Sequence, residues 1–359
     1  MLKKKIKIIF FLPHLKAGGA ERVVSFIFKS LDRTLFEPYL IVLGFEKEAQ
    51  YAIIGENIIF LNKKRLRSAL LDIVIKIWQL KPAIVFGSIG HINIYLGFLK
   101  IFFPKIKFIA REASVYTKMK SFNTKKQLPF TILNRLYKKL DAIVYQSGDM
   151  KNDFQDTFSI LPSAGHLIHN PITYDSNKYS IAPKQKTSPY RFIIVGSLVV
   201  NKGHNRIFEL FKRIQFNFVL EVVGDGPLRK GLEDRSKTLK IEDKVIFTGL
   251  QKDMEAIYAS ADFLIQGSYV EGFPNVVLEA LSFGIPCVVY NAPGGHKEMI
   301  IENENGYVIH NEEEAPKIIE KTIHHHWDRK AIQNDAYYRF GSEKIIKQYE
   351  TLFQKIVEQ

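Results

Sequence analysis

Cysteine is almost absent from this sequence of 359 residues, in which Cys287 is the single example. One cysteine cannot form an internal disulfide, so the chain does not belong to the disulfide-stabilised class, and a reducing compartment such as the cytoplasm is favoured. Cys287 lies within an apolar run, which predicts a small buried core residue rather than a nucleophile.

Long uninterrupted apolar segments are also lacking. Residues 83–99 contain no charged residue, but two glycines and three polar residues between positions 87 and 93 interrupt them. That pattern favours a strand, a turn and a helix over a membrane span of about 20 apolar residues. The apolar run at the N-terminus is short and ends at Pro13 without a small-residue cleavage site, so it predicts a first buried strand rather than a signal peptide.

Acidic residues are scarce in one half of the chain. Residues 1–186 contain 30 Lys and Arg against 13 Asp and Glu, whereas residues 187–359 contain 21 against 24. The net charge of +14 therefore originates entirely in the first half. This asymmetry indicates a basic face that meets an anionic surface.

Both halves alternate short apolar runs with helical patterns, which is typical of stacked βαβ units. Predicted strands occupy residues 7–12, 38–43, 57–61, 83–86, 107–110, 142–145, 191–195, 218–223, 244–247, 262–266 and 286–290. Predicted helices include residues 20–31, 68–80, 92–103, 126–139 and 342–357. The fold class is therefore α/β, with ligands expected beyond the carboxyl ends of the strands.

Composition divides the chain into four segments. Residues 1–170 form a first Rossmann-like domain, and residues 171–190, rich in proline and polar residues, form a linker. Residues 191–340 form a second Rossmann-like domain. Residues 341–359 form a C-terminal helix that we expect to pack back on the first domain.

The strongest motif spans residues 271–279, just after a predicted strand. Pro274 occupies the first-turn position of a predicted helix, which places Asn275 and Glu279 on one helix face, while Glu271 precedes the helix. A helix N-terminus attracts phosphate, and carboxylates accept hydrogen bonds from sugar hydroxyls. The combination indicates a ligand that is both an anion and a polyol, although a surface helix with an ordinary Glu would show the same spacing.

This stretch resembles the E-x7-E motif of family 4 (group 1) retaining glycosyltransferases, which have the GT-B fold of two Rossmann-like domains facing across a cleft. Residues 280–288 and 294–298 resemble the continuation of that motif. The resemblance implies that Glu271 contacts the donor sugar and that Glu279 holds the ribose hydroxyls. The intervening donor-binding positions are Gly272, Phe273, Pro274 and Asn275.

Three further loops of the second half resemble donor-binding loops of the same family. Residues 195–203 are similar to its G-R-x-x-x-x-K-G loop, with Lys202 as a cation for the diphosphate. One of the two cations usual in that loop is missing here, because a serine replaces the arginine. The resemblance implies donor contacts from the following residues: Gly196, Ser197, Gly224, Gly226, Gly249 and Leu250.

The resemblance is thinner in the first half. Gly18 and Gly19 follow the first strand, where paired glycines let a backbone approach a ligand. An ordinary strand-to-helix turn would explain the same two glycines. His91 stands where family members often carry an active-site histidine, although a lone histidine is more often structural. Arg111 and Glu112 end another predicted strand and are candidates for the acceptor side of the cleft.

The resemblance thus implies a retaining transferase, and we expect it to move a hexose or N-acetylhexosamine from a nucleotide sugar, UDP-linked, to a polyprenyl-diphosphate-linked saccharide. We expect no cofactor and no metal, and we interpret the three consecutive histidines at 324–326 as solvated. The basic half predicts peripheral binding at the inner face of the cell membrane. Two alternatives stay open: a GT-B sugar-nucleotide epimerase, and a basic nucleic-acid-binding protein, against which the absence of a reader motif argues.

Overall fold

The computed structural model describes residues 4–16, 18–50, 57–122, 128–174 and 188–359. Internal contacts divide the chain into two compact units. The first unit comprises Met1–Thr117, Thr124–Pro171 and Ser342–Gln359. The second comprises Lys118–Asn123 and Ile172–Gly341. Most of the predicted linker, residues 175–187, lies outside the described residues.

The first unit is built on a parallel sheet. Its strands are β1 (Ile6–Leu12), β2 (Phe36–Val42), β3 (Ile58–Phe60), β4 (Ile84–Ser88), β5 (Lys107–Arg111), β6 (Ala142–Tyr145) and β7 (Gly165–Leu167). Their order is β3-β2-β1-β4-β5-β6-β7, so the direction of winding reverses between β1 and β4. Polar loops that follow these two strands therefore meet at one edge, which is where ligands bind in open α/β sheets.

Helices cover both faces of this sheet. The helices in this part of the chain are α1 (Gly19–Ser30), α2 (Leu70–Leu80), α3 (Gly90–Phe102), α4 (Tyr116–Lys120), α5 (Phe130–Tyr137) and α6 (Gly148–Phe158). Side chains alternate along β1, because Phe10 packs against Phe28 of α1 whereas Phe11 packs against Tyr95 of α3. Helices α1 and α3 therefore lie on opposite faces.

The second unit repeats the same winding. Its strands are β8 (Tyr190–Val195), β9 (Phe218–Val223), β10 (Val245–Gly249), β11 (Phe263–Gln266), β12 (Cys287–Tyr290) and β13 (Gly306–Ile309), in the order β10-β9-β8-β11-β12-β13. Its helices are α7 (His204–Lys212), α8 (Arg229–Thr238), α9 (Met254–Ser260), α10 (Asn275–Ser282), α11 (His296–Met299), α12 (Ala315–His324) and α13 (Arg329–Phe340). The reversal falls between β8 and β11, the strands that lead into two of the predicted motifs.

The last helix, α14 (Ser342–Glu358), belongs to the first unit. One side of α14 is apolar, and its buried residues join the core formed by β1 and α1. The ring of Phe353 lies 6.2 Å from that of Phe10 and 5.7 Å from that of Phe86. The final residues of the chain thus complete a core that begins with the first strand.

The predicted strands match observed strands to within two residues, but α4, α6, β7 and β13 were not predicted. The helix predicted at 126–139 begins at Phe130, and residues 126 and 127 lie outside the described residues. Cys287 is fully buried, and burial raises the pKa of its thiol, so its prediction as a core residue is confirmed. The histidine run is only partly solvated, because the ring of His325 packs on Trp327. Within the described ranges, no helix combines the length and the apolar character needed to cross a bilayer.

Candidate functional site

Glycines bring the loops of the second unit together at the carboxyl ends of its strands. A Cβ atom on Gly203 would lie 1.8 Å from the carbonyl oxygen of Gly267, so only glycine fits between the loops after β8 and β11. A Cβ atom on Gly294 would lie 2.3 Å from the carbonyl oxygen of Glu271, so the loop after β12 is equally close to the loop after β11. The side chains on these loops are therefore fixed against one another.

Lys202 and Glu271 form an ion pair within this arrangement. The Nζ atom of Lys202 donates to Oε1 of Glu271 at 2.6 Å. The same oxygen accepts hydrogen bonds from Ser268 Oγ at 2.6 Å and from Gln266 Nε2 at 3.0 Å. Two residues that lie 69 positions apart in the sequence, both selected as functional candidates, are thus in direct contact.

His296 extends the network beyond Gln266. The Nε2 atom of His296 lies 2.7 Å from Oε1 of Gln266, whose amide nitrogen already donates to Glu271. Because a carboxylate can only accept, the Gln266 amide must offer its oxygen to His296, and the histidine must carry a proton on Nε2. The network therefore runs from Lys202 through Glu271 and Gln266 to a buried imidazole.

The charges of this network are stabilised in different ways. Burial raises the pKa of Glu271, but the charge and hydrogen bond of Lys202 and the hydroxyl of Ser268 outweigh it, so that the net pKa is lowered. Burial lowers the pKa of His296, and the charge of Glu271 opposes this. At neutral pH Glu271 is consequently an ionised carboxylate and His296 a neutral imidazole.

Helix α10 begins directly after this network. It starts at Asn275 with Pro274 as its N-cap residue, one position earlier than the first-turn placement predicted for the proline. No side chain caps the helix, and the Val277 N–H in its first turn donates to the carbonyl oxygen of Pro274 at 3.1 Å. Farther along the helix, Glu279 is buried and accepts a hydrogen bond from the Tyr258 hydroxyl at 2.6 Å.

The remaining predicted donor positions lie on neighbouring loops of the same unit. Ser197 is exposed just after β8, and Leu250 is exposed just after β10. The loop after β9 packs under the loop after β8, since a Cβ atom on Gly226 would lie 2.6 Å from the carbonyl oxygen of Leu198. The guanidinium of Arg229 lies near Gly249 and donates to the carbonyl oxygen of Phe247 at 3.4 Å.

Arg206 was not predicted, yet it holds the loop after β11 against α7. Its guanidinium donates to the carbonyl oxygen of Gly267 at 2.6 Å and also to that of Ser268. It is sandwiched by the rings of Tyr269 and Tyr290, with its central carbon 4.3 and 4.0 Å from the two ring centroids. Arg206 therefore supports the position of Ser268 and, through it, that of Glu271.

The first unit carries its own buried polar residues at the carboxyl ends of β1 and β5. Glu21 on α1 lies against Gly18, where a Cβ atom would lie 2.2 Å from the Glu21 carboxylate. His14 forms an ion-pair contact with Glu21 at 3.4 Å. Burial raises the pKa of Glu21, while its own backbone N–H and the charges of His14 and Arg111 lower it.

Arg111 and Glu112 are both almost completely buried. The guanidinium of Arg111 donates to Ser88 and to Asn170, the latter just after β7. Asn93 donates from Nδ2 to the carbonyl oxygen of Arg111 at 2.9 Å and to the carboxylate of Glu112 at 2.7 Å. Burial raises the pKa of Glu112 to about 6, against the opposing effects of Asn93, Tyr137 and Arg111.

His91 stands apart from these buried groups, because it is exposed in the first turn of α3. Ile89 just before that helix has a φ of 80°, which is rare for a β-branched residue. The predicted residues Gly18, Gly19, His91, Arg111 and Glu112 all belong to the first unit, whereas the other candidates belong to the second. Among the described residues, no group of three His, Cys, Asp or Glu side chains is placed to hold a metal.

The sequence analysis missed several residues of the buried polar cluster in the first unit and of the Glu271 network in the second. The unpredicted residues are Glu21, Asn93, Asn170, Arg206, Gln266, Ser268 and His296. One signal was available, since Gln266 is a polar residue that ends an otherwise apolar strand at the edge where ligands bind.

Solved structures show which class of protein has this architecture. The lipopolysaccharide outer core galactosyltransferase WaaB, in its apo form, matches with a TM-score of 0.78 and 19% identity over 98% of this chain and 100% of that one. Alr3699/HepE of Anabaena, solved with UDP-glucose, matches with a TM-score of 0.78 and 19% identity over 97% and 99% of the two chains. The fold is therefore that of GT-B glycosyltransferases, as the sequence predicted.

Sequence comparison finds similarity to glycosyltransferases. Residues 175–339 match the family described as Glycosyl transferases group 1. An uncharacterized glycosyltransferase of Haemophilus influenzae is 26% identical over 96% of this chain and 98% of its own length. The N-acetylgalactosamine-N,N'-diacetylbacillosaminyl-diphospho-undecaprenol 4-alpha-N-acetylgalactosaminyltransferase of Campylobacter jejuni is 26% identical over 92% and 93%. Residues 175–339 thus match a group 1 glycosyltransferase model, and both relatives that match over nearly the whole chain are named as glycosyltransferases.

Proposed function

We propose that this glycosyltransferase retains the anomeric configuration of the sugar that it moves. The sugar is a hexose or N-acetylhexosamine, the donor is a UDP-sugar, and the acceptor is a polyprenyl-diphosphate-linked saccharide used in surface polysaccharide or glycan assembly. The observation that carries the proposal is the bonded pair of Lys202 and Glu271 immediately before the uncapped N-terminus of α10. A cation and a helix N-terminus suit a diphosphate, and an ionised carboxylate suits sugar hydroxyls.

The donor is bound by the second unit in this proposal. Glu271 orients the sugar and Glu279 holds the ribose, which requires the carboxylate of Glu279 to accept from the ribose as well as from Tyr258. Gly249 and Leu250 border the nucleobase. UDP is favoured because HepE, a structural neighbour, was solved with UDP-glucose. Gly196 and Ser197 approach the diphosphate without the second cation of related loops.

The chemical step breaks the bond between the sugar C1 and the donor phosphate while the acceptor oxygen bonds to C1 on the same face. The acceptor proton passes to the departing phosphate oxygen, so no enzymic base, cofactor or metal is needed. Lys202 and the N-terminus of α10 stabilise the negative charge that develops on the diphosphate. Glu271 acts by positioning, since its Oε1 atom is held by Lys202, Ser268 and Gln266.

The acceptor is bound by the first unit, with exposed His91 in contact with it and with buried Arg111 and Glu112 as positioning residues. The Campylobacter jejuni relative is named for an undecaprenol-diphosphate-linked substrate, which supports an acceptor of the same class. The positive charge of residues 1–186 suits an anionic surface, so we place the enzyme at the inner face of the cell membrane rather than on nucleic acid.

A thermal-shift panel of UDP-, GDP-, ADP- and dTDP-sugars tests the donor. Stabilisation by UDP-sugars alone is expected, because a ligand that binds only the folded state raises its stability. Product analysis of the stabilising sugar nucleotide, with and without a lipid-linked acceptor, then tests the reaction. Transfer only in the presence of acceptor supports the proposal, whereas conversion of the sugar nucleotide alone would identify an epimerase.

A further inference from the structure

Helix α2 exposes apolar side chains on the side that faces away from its sheet. Leu71, Ile75 and Trp78 are spaced at i, i+4 and i+7 and are 75%, 47% and 71% exposed. Ile73 and Ile77 are buried on the opposite side. The helix is therefore apolar on both sides, which is unusual for a helix that meets water.

Helix α3 has the same character towards its C-terminal end. Phe98, Ile101 and Phe102 are spaced at i, i+3 and i+4 and are half-buried to exposed. The rings of Phe98 and Phe102 contact each other, with centroids 5.1 Å apart. Three large apolar side chains thus form a second stripe in the first unit.

The two stripes lie on one face of the sheet. The connections from β3 to β4 and from β4 to β5 run in the same direction across it. Right-handed crossovers place both connecting helices on the same face, which is the face that Phe11 and Tyr95 share. We call the six exposed residues of the two helices the α2–α3 apolar surface.

Basic residues flank this surface along the chain, although Lys100 and Lys107 are paired with Asp141 at 2.8 and 3.9 Å. Residues 61–140 contain 17 Lys and Arg but only two acidic residues, Asp72 and Glu112. Asp72 is paired with Lys63 at 3.2 Å, and Glu112 is buried. Exposed cations stand directly before α2, at Lys64 and Arg65, and after α3 at Lys105.

We propose that the α2–α3 apolar surface inserts into the interfacial region of an anionic bilayer. The apolar residues enter the acyl boundary while the surrounding cations contact lipid phosphates, which is how amphipathic helices bind membranes. A second copy of this chain is a poor occupant, because pairing the surface with itself would oppose two strongly positive patches. The inference deepens the proposed function by naming the surface through which the enzyme reaches a lipid-linked acceptor.

Trp78 provides a built-in probe of insertion. The chain has two tryptophans, and Trp327 is 9% exposed whereas Trp78 is 71% exposed. Vesicles of phosphatidylglycerol and phosphatidylcholine in roughly equal amounts should shift the Trp78 emission of a Trp327→Phe protein to the blue, and brominated lipid should quench it. Emission unchanged by these vesicles would overturn the proposal.

A variant pair separates insertion from simple charge attraction. Leu71→Glu combined with Ile75→Glu should weaken partitioning onto the anionic vesicles by about tenfold or more, because two inserted side chains become charged. Leu161→Glu is the matched control, since Leu161 is also 71% exposed in the first unit but lies outside the surface, and it should partition like the parent. Equal partitioning of all three proteins would contradict the proposal.

The outcome is independent of catalysis, because these vesicles contain no sugar lipid and no donor is added. Vesicle binding without sugar transfer in the separate acceptor assay would support the membrane-inserting surface and exclude the proposed function. Sugar transfer without membrane insertion would support the proposed function and exclude the membrane-inserting surface. Sedimentation without lipid covers the other occupant: a concentration-dependent dimer that Leu71→Glu with Ile75→Glu abolishes would assign the surface to self-association and overturn membrane insertion.

Discussion

At the scale of single residues, one oxygen atom of Glu271 organises the donor side of the site. Three donors converge on Oε1, from Lys202, Ser268 and Gln266. The bond from Gln266 also fixes the orientation of that amide and hence the proton position on His296. A change in any member therefore alters the position or charge of the carboxylate.

Replacing either member of the ion pair should impair transfer. For Lys202→Met and for Glu271→Gln we expect kcat/KM with the UDP-sugar to fall by about 100-fold, because stabilisation of the leaving diphosphate or positioning of the sugar is lost. Steady-state kinetics with a lipid-linked acceptor measure the effect. Lys230→Met, which removes an exposed lysine of α8, is the control and should keep the parent value. Unchanged kcat/KM in Glu271→Gln would exclude its assigned role.

Glu112 should make the stability of the protein depend on pH. Its pKa of about 6 in the folded state lies above its ordinary value of 4.5, so folding favours the protonated form. The stability of the parent relative to Glu112→Gln should therefore fall as the pH rises from about 4.5 to about 6, by about 2 kcal/mol in total. Urea unfolding of both proteins at about pH 4 and pH 7.5 tests this. A difference that does not change with pH would refute it.

Lys202 and Glu271 were predicted because they lie in motifs that resemble those of a known family, whereas Arg206, Gln266, Ser268 and His296 were missed. Gln266 and His296 act through a hydrogen bond between the end of β11 and the start of α11, and a single sequence does not reveal such a contact. The E-x7-E spacing likewise does not show that the Tyr258 hydroxyl donates a hydrogen bond to Glu279.

At the scale of elements, the loop after β8 depends on a glycine that touches another backbone. Gly203 has a φ of +64° and lies against Gly267. Gly203→Ala should destabilise the protein by about 2 kcal/mol or more, since alanine disfavours that φ and its Cβ atom would force the loops apart. The accompanying shift of Lys202 should weaken UDP binding, which calorimetry measures.

Gly231→Ala is the matched control for this substitution. Gly231 lies within α8, and a Cβ atom there would meet nothing within 4 Å. Alanine has the higher helix propensity, so the variant should gain up to about 1 kcal/mol in stability and bind UDP like the parent. Equal effects of the two substitutions would show that the contact between the loops is unimportant.

Elements with a strong apolar pattern were predictable, and short or polar ones were not. The central strands of both sheets are continuous apolar runs, as buried parallel strands require. Helix α6 is mostly polar, and its buried contacts come from Met150, Phe154 and Phe158 alone. Strand β7 has three residues, and it exists because β6 offers an open edge for pairing. That edge is a tertiary property, so local sequence does not encode it.

At the scale of the whole molecule, two sheets with the same strand order have separate cores. The alternation of apolar runs predicted two such domains, but it could not show that the winding of each sheet reverses between its first and fourth strands. Two phenylalanines on consecutive helices, α13 and α14, illustrate the division between the two cores. Phe340 packs against Phe273 in the core of the second unit, whereas Phe353 packs against Phe86 in that of the first.

Substituting these two phenylalanines should therefore loosen different parts of the protein. Phe353→Ala should destabilise the first unit by about 3–5 kcal/mol, because a large side chain that is fully buried leaves a cavity. Hydrogen exchange should accelerate in β1 and α1, while UDP should still protect α10. Phe340→Ala should instead accelerate exchange in β11 and α10. The two positions lie only 13 residues apart along the chain. Faster exchange in the same strands for both variants would mean that α14 does not belong to the first core.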